Sequence, residues 1–204
     1  ADGVLLSAQP FRQRYLVLDT NIVLDQIDLL DHHCAATTNI IILQTVWQEV
    51  KHRNLGTYNR LRAAMKDEKR RFVPFSNEHH RETYVEREAG ESPNDRNDRA
   101  IRVFSSWYQQ QLAASNVKVL LLTNDRDNLN KAKGDGLEAM TIHEFVRSVA
   151  SKFPELTDKL AQSSENLKLG KGSGAADGAI FREHWPMSQL TAAVKSGKAF
   201  QGVI

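Results

Sequence analysis

Short apolar runs alternate with longer amphipathic stretches along this chain, and two of the runs stop abruptly at acids. Tyr15-Leu16-Val17-Leu18 ends in Asp19, Thr20 and Asn21, and Val117 to Leu122 ends in Thr123, Asn124 and Asp125. Asn39-Ile40-Ile41-Ile42-Leu43 is β-branched and uncharged. Apolar runs of this length, bounded by turn residues, read as strands buried on both faces. Phe72-Val73-Pro74-Phe75 is a further short strand, placed at a sheet edge by its proline, and Glu138–Thr141 is a fifth. Between them the spacing shifts to helical. Helices are predicted over 22–30, from Thr45 to about Arg53, from Tyr58 to Arg71 after a break at Leu55-Gly56, and from Ser92-Pro93-Asn94 to about Leu112. Another runs to about Lys133 before Gly134 and Gly136, one opens at Thr141, and a short one ends near Leu160. Thr45-Val46-Trp47-Gln48 and Thr141-Ile142-His143-Glu144 have the form of capping boxes. Residues 76–92 are polar and read as a partly helical excursion.

Strands alternating with helices over 15–150 predict an α/β protein. The expected architecture is a three-layer, Rossmann-like fold with a central parallel sheet of about five strands flanked by helices. Residues 1–14 are expected to be an extended lead-in, 15–161 the domain, and 162–204 a flexible linker and C-terminal segment, because Gly170-Lys171-Gly172-Ser173-Gly174 marks a change of composition. Ala1-Asp2-Gly3 lacks a signal peptide's basic start and apolar run, and reads as the beginning of a fragment.

Composition narrows the class. Hydrophobic residues are 41% and charged residues 25%, enough for a packed core. The single cysteine, Cys34, excludes a disulfide framework within the chain and predicts no disulfide-linked partner. No apolar stretch is long enough for a membrane span. A net charge of +2 and pI near 8.7 lean only weakly towards a polyanionic partner.

The chemistry lies in the acids. If the first and fourth strands run parallel as neighbours across the topological switch, Asp19 and Asp125 share the sheet edge where ligands bind in such folds. Two buried carboxylates repel unless a proton or a cation intervenes. Glu49, a turn and a half beyond strand two, and Asp98, just inside the helix leading to strand four, start from the same edge. An oxygen-only set suits hard cations, Mn²⁺ or Mg²⁺, in one or two ions. Such ions lower the pKa of water and neutralise charge on a phosphodiester. Thr20, Asn21, Thr123 and Asn124 are suited to orienting the carboxylates, and Asp127 is an optional further acid. The plainer alternative is that Asp19 and Asp125 merely cap helices and Glu49 is solvated. His79-His80 and His32-His33, among charges, read as solvated faces.

Five segments together resemble a known family. They are Leu18-Asp19-Thr20-Asn21, Gln44 to Val50, Asn77 to Val85 (Asn-Glu-His-His-Arg-Glu-Thr-Tyr-Val), Asn94 to Arg102 (Asn-Asp-Arg-Asn-Asp-Arg-Ala-Ile-Arg) and Thr123 to Arg126. The resemblance is to the PIN domain family of metal-dependent ribonucleases, in the branch carried by the catalytic ribonuclease subunit of the eukaryotic RNA exosome, and covers about residues 15–204. It implies a PIN-like fold and endonucleolytic cleavage of single-stranded RNA in RNA processing and decay. It also implies Mn²⁺ or Mg²⁺ held by the catalytic acids Asp19, Glu49, Asp98 and Asp125, and docking on exosome core subunits. Nucleus, nucleolus and cytoplasm are the implied locations. Lys195 to Gly202 resembles that subunit's link into RNA-binding cold-shock domains.

Arg96, Arg99 and Arg126, beside the acids in sequence, are the expected phosphate contacts. The basic residues of 60–71 are more simply a solvated helix. No platform of interleaved aromatics is legible. Two other readings stay open: a non-catalytic docking module that tethers an exonuclease to the exosome core, and a structure-specific DNA nuclease.

Overall fold

A computed structural model describes residues 14–160; the expected lead-in and the linker and C-terminal segment lie outside the described residues. Five strands form one sheet: β1 (Arg14–Leu18), β2 (Ile40–Leu43), β3 (Phe72–Phe75), β4 (Lys118–Leu122) and β5 (Glu138–Met140). The order is β3-β2-β1-β4-β5, and every pairing is parallel. The chain winds from β1 outward to β3, then crosses to the other side of β1. The switch point therefore falls between β1 and β4, with Leu18 beside Leu122. Asp19 follows directly, and its N–H donates to the Leu122 carbonyl at 3.0 Å. Pro74 sits in β3, an edge strand, as its missing N–H requires.

Eight helices surround the sheet among the described residues: α1 (Thr20–Asp25), α2 (Ile27–Asp31), α3 (Gln44–Arg53), α4 (Leu55–Lys66), α5 (Pro93–Gln111), α6 (Arg126–Gly134), α7 (Ile142–Val149) and α8 (Glu155–Lys159). The long helix α5 matters most for the site. Its apolar face carries Ile101, Phe104, Trp107 and Tyr108 into the core. Phe104 packs on Phe75 of β3 with ring centroids 4.7 Å apart, and Tyr108 meets Tyr15 of β1 edge-on at 5.4 Å. These contacts fix the helix axis, and Ser92 caps its start by accepting from the Asp95 N–H at 3.0 Å. Its N-terminal turn is thereby held at the carboxyl end of the sheet.

Several local expectations differ. The single helix over 22–30 is two, because fully buried Gln26 leaves helical geometry (φ −122°, ψ 27°). The capping box at Thr45 does not form: α3 starts at Gln44, and the Thr45 hydroxyl is taken by the Glu78 carboxylate. The box at Thr141 does form. Leu55-Gly56 is the first turn of α4 rather than a break, because Asn54 caps it through the Thr57 N–H at 3.0 Å. That helix stops at Lys66, and 68–70 is a 3-10 turn. In the polar excursion only Asn77–His79 is helical, as a 3-10 turn. His80 is buried, 4.6 Å from the Trp107 ring, not on a solvated face. Two arginines of the basic stretch are structural: Arg60 bonds Asp28 and Asp31, and Arg70 reaches the carbonyls of Leu30 and Asp31.

Candidate active site

Asp19 is the fixed point of the site. It is 3% exposed and capped by four donors: the Thr20 N–H on Oδ1 at 2.6 Å, and on Oδ2 the Asn21 amide at 3.1 Å, the Thr123 hydroxyl at 2.5 Å and the Asn128 amide at 3.1 Å. Burial pushes its pKa up, the donors from Thr123, Asn128 and the Thr20 N–H oppose this, and the nearby Glu49 charge adds to it. Asp125, at the end of β4, is exposed and caps α6 by accepting from the Asn128 N–H at 2.8 Å. Both strand-end acids are therefore helix caps and also members of a cluster; the two readings of the sequence are compatible.

The other two acids arrive from helices. Glu49 is half-buried, and its Oε2 accepts from the Thr20 hydroxyl at 3.0 Å and the Asn97 amide at 3.1 Å, while Arg53 reaches Oε1 at 3.2 Å. Asp98 lies near the start of α5. Its carboxyl is pushed up to about 7 by burial and by the like charges of Asp19, Asp125 and Glu49, against the opposing pull of Arg102. Asp19, Glu49 and Asp125 are thus all near enough for their charges to act on Asp98.

Among the described residues no three His, Cys, Asp or Glu side chains stand close enough to hold an ion as they are. The acids act on one another at the longer range of charge repulsion. The donor set nonetheless fits a hard divalent cation: it is oxygen-only, and burial together with the charge of its neighbours raises one of its members to about 7.

The surrounding polar residues divide. Thr20, Asn21 and Thr123 bond the acids, as expected. Asn124 does not: its side-chain oxygen accepts from the Ile142 N–H at 3.2 Å and its own N–H donates to Asn21, so it ties the β4 loop to α7 and α1. Asp127 is turned outward and pairs with Lys131 at 2.6 Å, one helical turn on. Two of the three expected phosphate contacts are also corrected. All five N–H donors of Arg96 are engaged, by both oxygens of Glu78, the Val85 carbonyl twice and Asn97. Arg99 is held by Glu91, Glu88 and the Glu86 carbonyl, and in turn holds Glu91 down at about 2. Only Arg126 lies exposed beside Asp125.

Asn97 and Asn128 are not legible in the sequence as site residues, and Arg102 is legible only as one more arginine beside the acids and a candidate phosphate contact; it is held instead by Asn128 and Asp135. Arg102 donates to the Asn128 Oδ1 at 2.6 Å, which leaves the Asn128 Nδ2 for Asp19. Their spacing held the clue: Asn128 is three residues past the cap at Asp125 and Arg102 is four past Asp98, positions that share a helix face.

A family model described as the PIN domain matches residues 16–143. The chain belongs to the PIN domain family. Within it, this PIN domain is 46% identical over 195 residues to the exosome complex exonuclease RRP44 of Homo sapiens, a match covering 92% of this chain and 19% of that protein. It is 42% identical to the RRP44 homolog A of Arabidopsis thaliana, over 93% of this chain and 20% of that protein. The chain therefore spans about a fifth of the length of these relatives. A solved structure of the T. brucei RRP44 PIN domain superposes with a TM-score of 0.61 at 26% identity, covering 72% of this chain and 87% of that one. The expected PIN-like fold and its exosome-nuclease branch are both met.

Proposed function

We propose that this PIN domain is an endoribonuclease that cuts single-stranded RNA with Mn²⁺ or Mg²⁺, as part of an exosome-associated nuclease. The observation that carries the reading is the set of four acids about the switch point, where burial first, and then the like charges of Asp19, Asp125 and Glu49, hold Asp98 up at about 7. Asp19, Glu49, Asp98 and Asp125 would hold the metal, which would lower the pKa of water and offset charge on the scissile phosphate. The chain's own polar residues prepare this. Four donors fix the Asp19 carboxylate in one rotamer, and Thr20 and Asn97 aim Glu49. Such fixed orientation of ligating carboxylates is what outer-shell hydrogen bonds provide. Arg126 is the arginine we assign to a phosphate.

The relatives' names, exosome complex exonuclease, support RNA and exosome core subunits as partners. A circular single-stranded RNA has no ends, so it separates internal cutting from exonuclease action. The intact protein should linearise it with Mn²⁺, and Asp19→Asn should abolish this without unfolding the domain. Undiminished cutting by Asp19→Asn would overturn the site. A matched single-stranded DNA circle cut equally well would point to a general nuclease. Binding to core subunits with no cutting would leave the docking reading.

A further inference from the structure

Among the described residues Tyr84 is the one large aromatic side chain that is mostly exposed, at 54%. It is not a loose surface residue. Its neighbours Thr83 and Val85 are 0% and 5% exposed, and its own N–H donates to the His80 carbonyl at 2.8 Å. The Thr83 hydroxyl bonds the Asn77 carbonyl at 3.2 Å, so the turn that presents the ring is anchored from beneath. The guanidinium carbon of Arg96 lies 5.9 Å from the ring centroid. Arg96 cannot swing away to a phosphate, because Glu78, Val85 and Asn97 occupy its donors. The ring is thus backed by a fixed cation, a favourable arrangement for an aromatic face.

A continuous set of contacts links this ring to the acids. Arg96 touches the Asn97 Oδ1 at 3.5 Å, and the Asn97 Nδ2 donates to Glu49 at 3.1 Å. Tyr84 is thereby tied, through Arg96 and Asn97, to the Glu49 carboxylate. We propose that Tyr84, backed by Arg96, is a stacking platform for one nucleobase of the single-stranded substrate. It would hold the strand in register across the acids without reading its sequence, since every base has a π-face. No such platform was legible in the sequence because the other aromatics nearby turn inward. The inference rests on the single-stranded RNA reading above.

The test is binding of a short single-stranded RNA carrying 2-aminopurine, followed by anisotropy and by quenching of the base analogue, in an Asp19→Asn background that does not cut. Tyr84→Ala should weaken binding by about 5- to 150-fold, the range that a single base–aromatic stack supplies, and abolish the quenching. Tyr84→Phe and Tyr84→Trp should restore both. An RNA with an abasic site at the quenched position should bind the Tyr84 protein more weakly, yet bind Tyr84→Ala no more weakly than intact RNA. Equal affinity and quenching for Tyr84→Ala would overturn the platform while leaving the nuclease reading standing. Loss in Tyr84→Phe equal to that in Tyr84→Ala would also overturn it, since the hydroxyl would then be the contact. An Asp19-intact protein that neither binds nor cuts RNA would overturn both.

Discussion

Asp98 is where the site's electrostatics become measurable without any substrate. Its carboxyl titrates near 3.8 in an unfolded chain and at about 7 in the folded one. The folded state therefore holds the proton more tightly. Below about pH 4 the group is protonated in both states and costs nothing; as pH rises to 7 the folded state becomes progressively less favoured, and the penalty then levels off. Three pKa units correspond to roughly 4 kcal/mol, which partial exposure and solvent screening reduce to about 1–2 kcal/mol. Asp98→Asn should remove this slope. In metal-free buffer its melting temperature should exceed the parent's at pH 8 and match it near pH 4. A variant less stable than the parent at both pH values would show that Asp98 is not repelled by its neighbours. Gaining stability by neutralising an acid is what a site shaped for something other than stability should show.

The start of α5 depends on a strut outside the helix. Glu78 and Arg96 form a two-pronged ion pair at 2.6 Å with side chains only 17% and 14% exposed. Burial alone would raise the Glu78 carboxyl, but Arg96, Thr45 and Asn77 outweigh it and leave the group below its ordinary value. Its contribution is therefore present above the normal carboxylate range and is lost as pH falls through the lowered value. Removing one partner of such a pair strands the other, at a cost near 3 kcal/mol. Glu78→Ala and Arg96→Ala should each destabilise by about that amount in urea unfolding, and the double variant by clearly less than the sum. Full additivity would mean that the pair contributes no coupling. Arg96 precedes Asn97 and Asp98, so these variants should also slow RNA cutting beyond the loss of folded protein.

At the scale of the whole molecule, the parallel sheet brings acids from distant parts of the chain to one edge, and the fold bears their repulsion. An ion that binds there only in the folded state adds stability by mass action, about 2.7 kcal/mol at a hundred times its Kd. For a domain of this size Mn²⁺ should then raise the melting temperature by roughly 5–10 °C. Asp19→Asn or Asp125→Asn should abolish most of that rise. A rise that survives in both variants would place the ion elsewhere.

The sequence by itself determined the strands, because uninterrupted runs such as Ile40 to Leu43 can only be buried on both faces. It also marked the candidate site as acidic, because acids follow two strands in matching contexts and two more stand near helix starts. Tertiary structure alone decided the pairing of β1 with β4, since strand order depends on connections that local patterns do not record. It likewise decided which way each polar side chain turns. Thr45 follows a capping pattern yet bonds Glu78, and Arg96 and Arg99 lie beside acids in sequence yet are held by Glu78 and Glu91. Asp127 stands two residues from Asp125 and faces solvent. Buried polar groups must all find partners. For Thr45, Arg96 and Arg99 the partner comes from residues 76–92, whose course no periodicity in the chain announces.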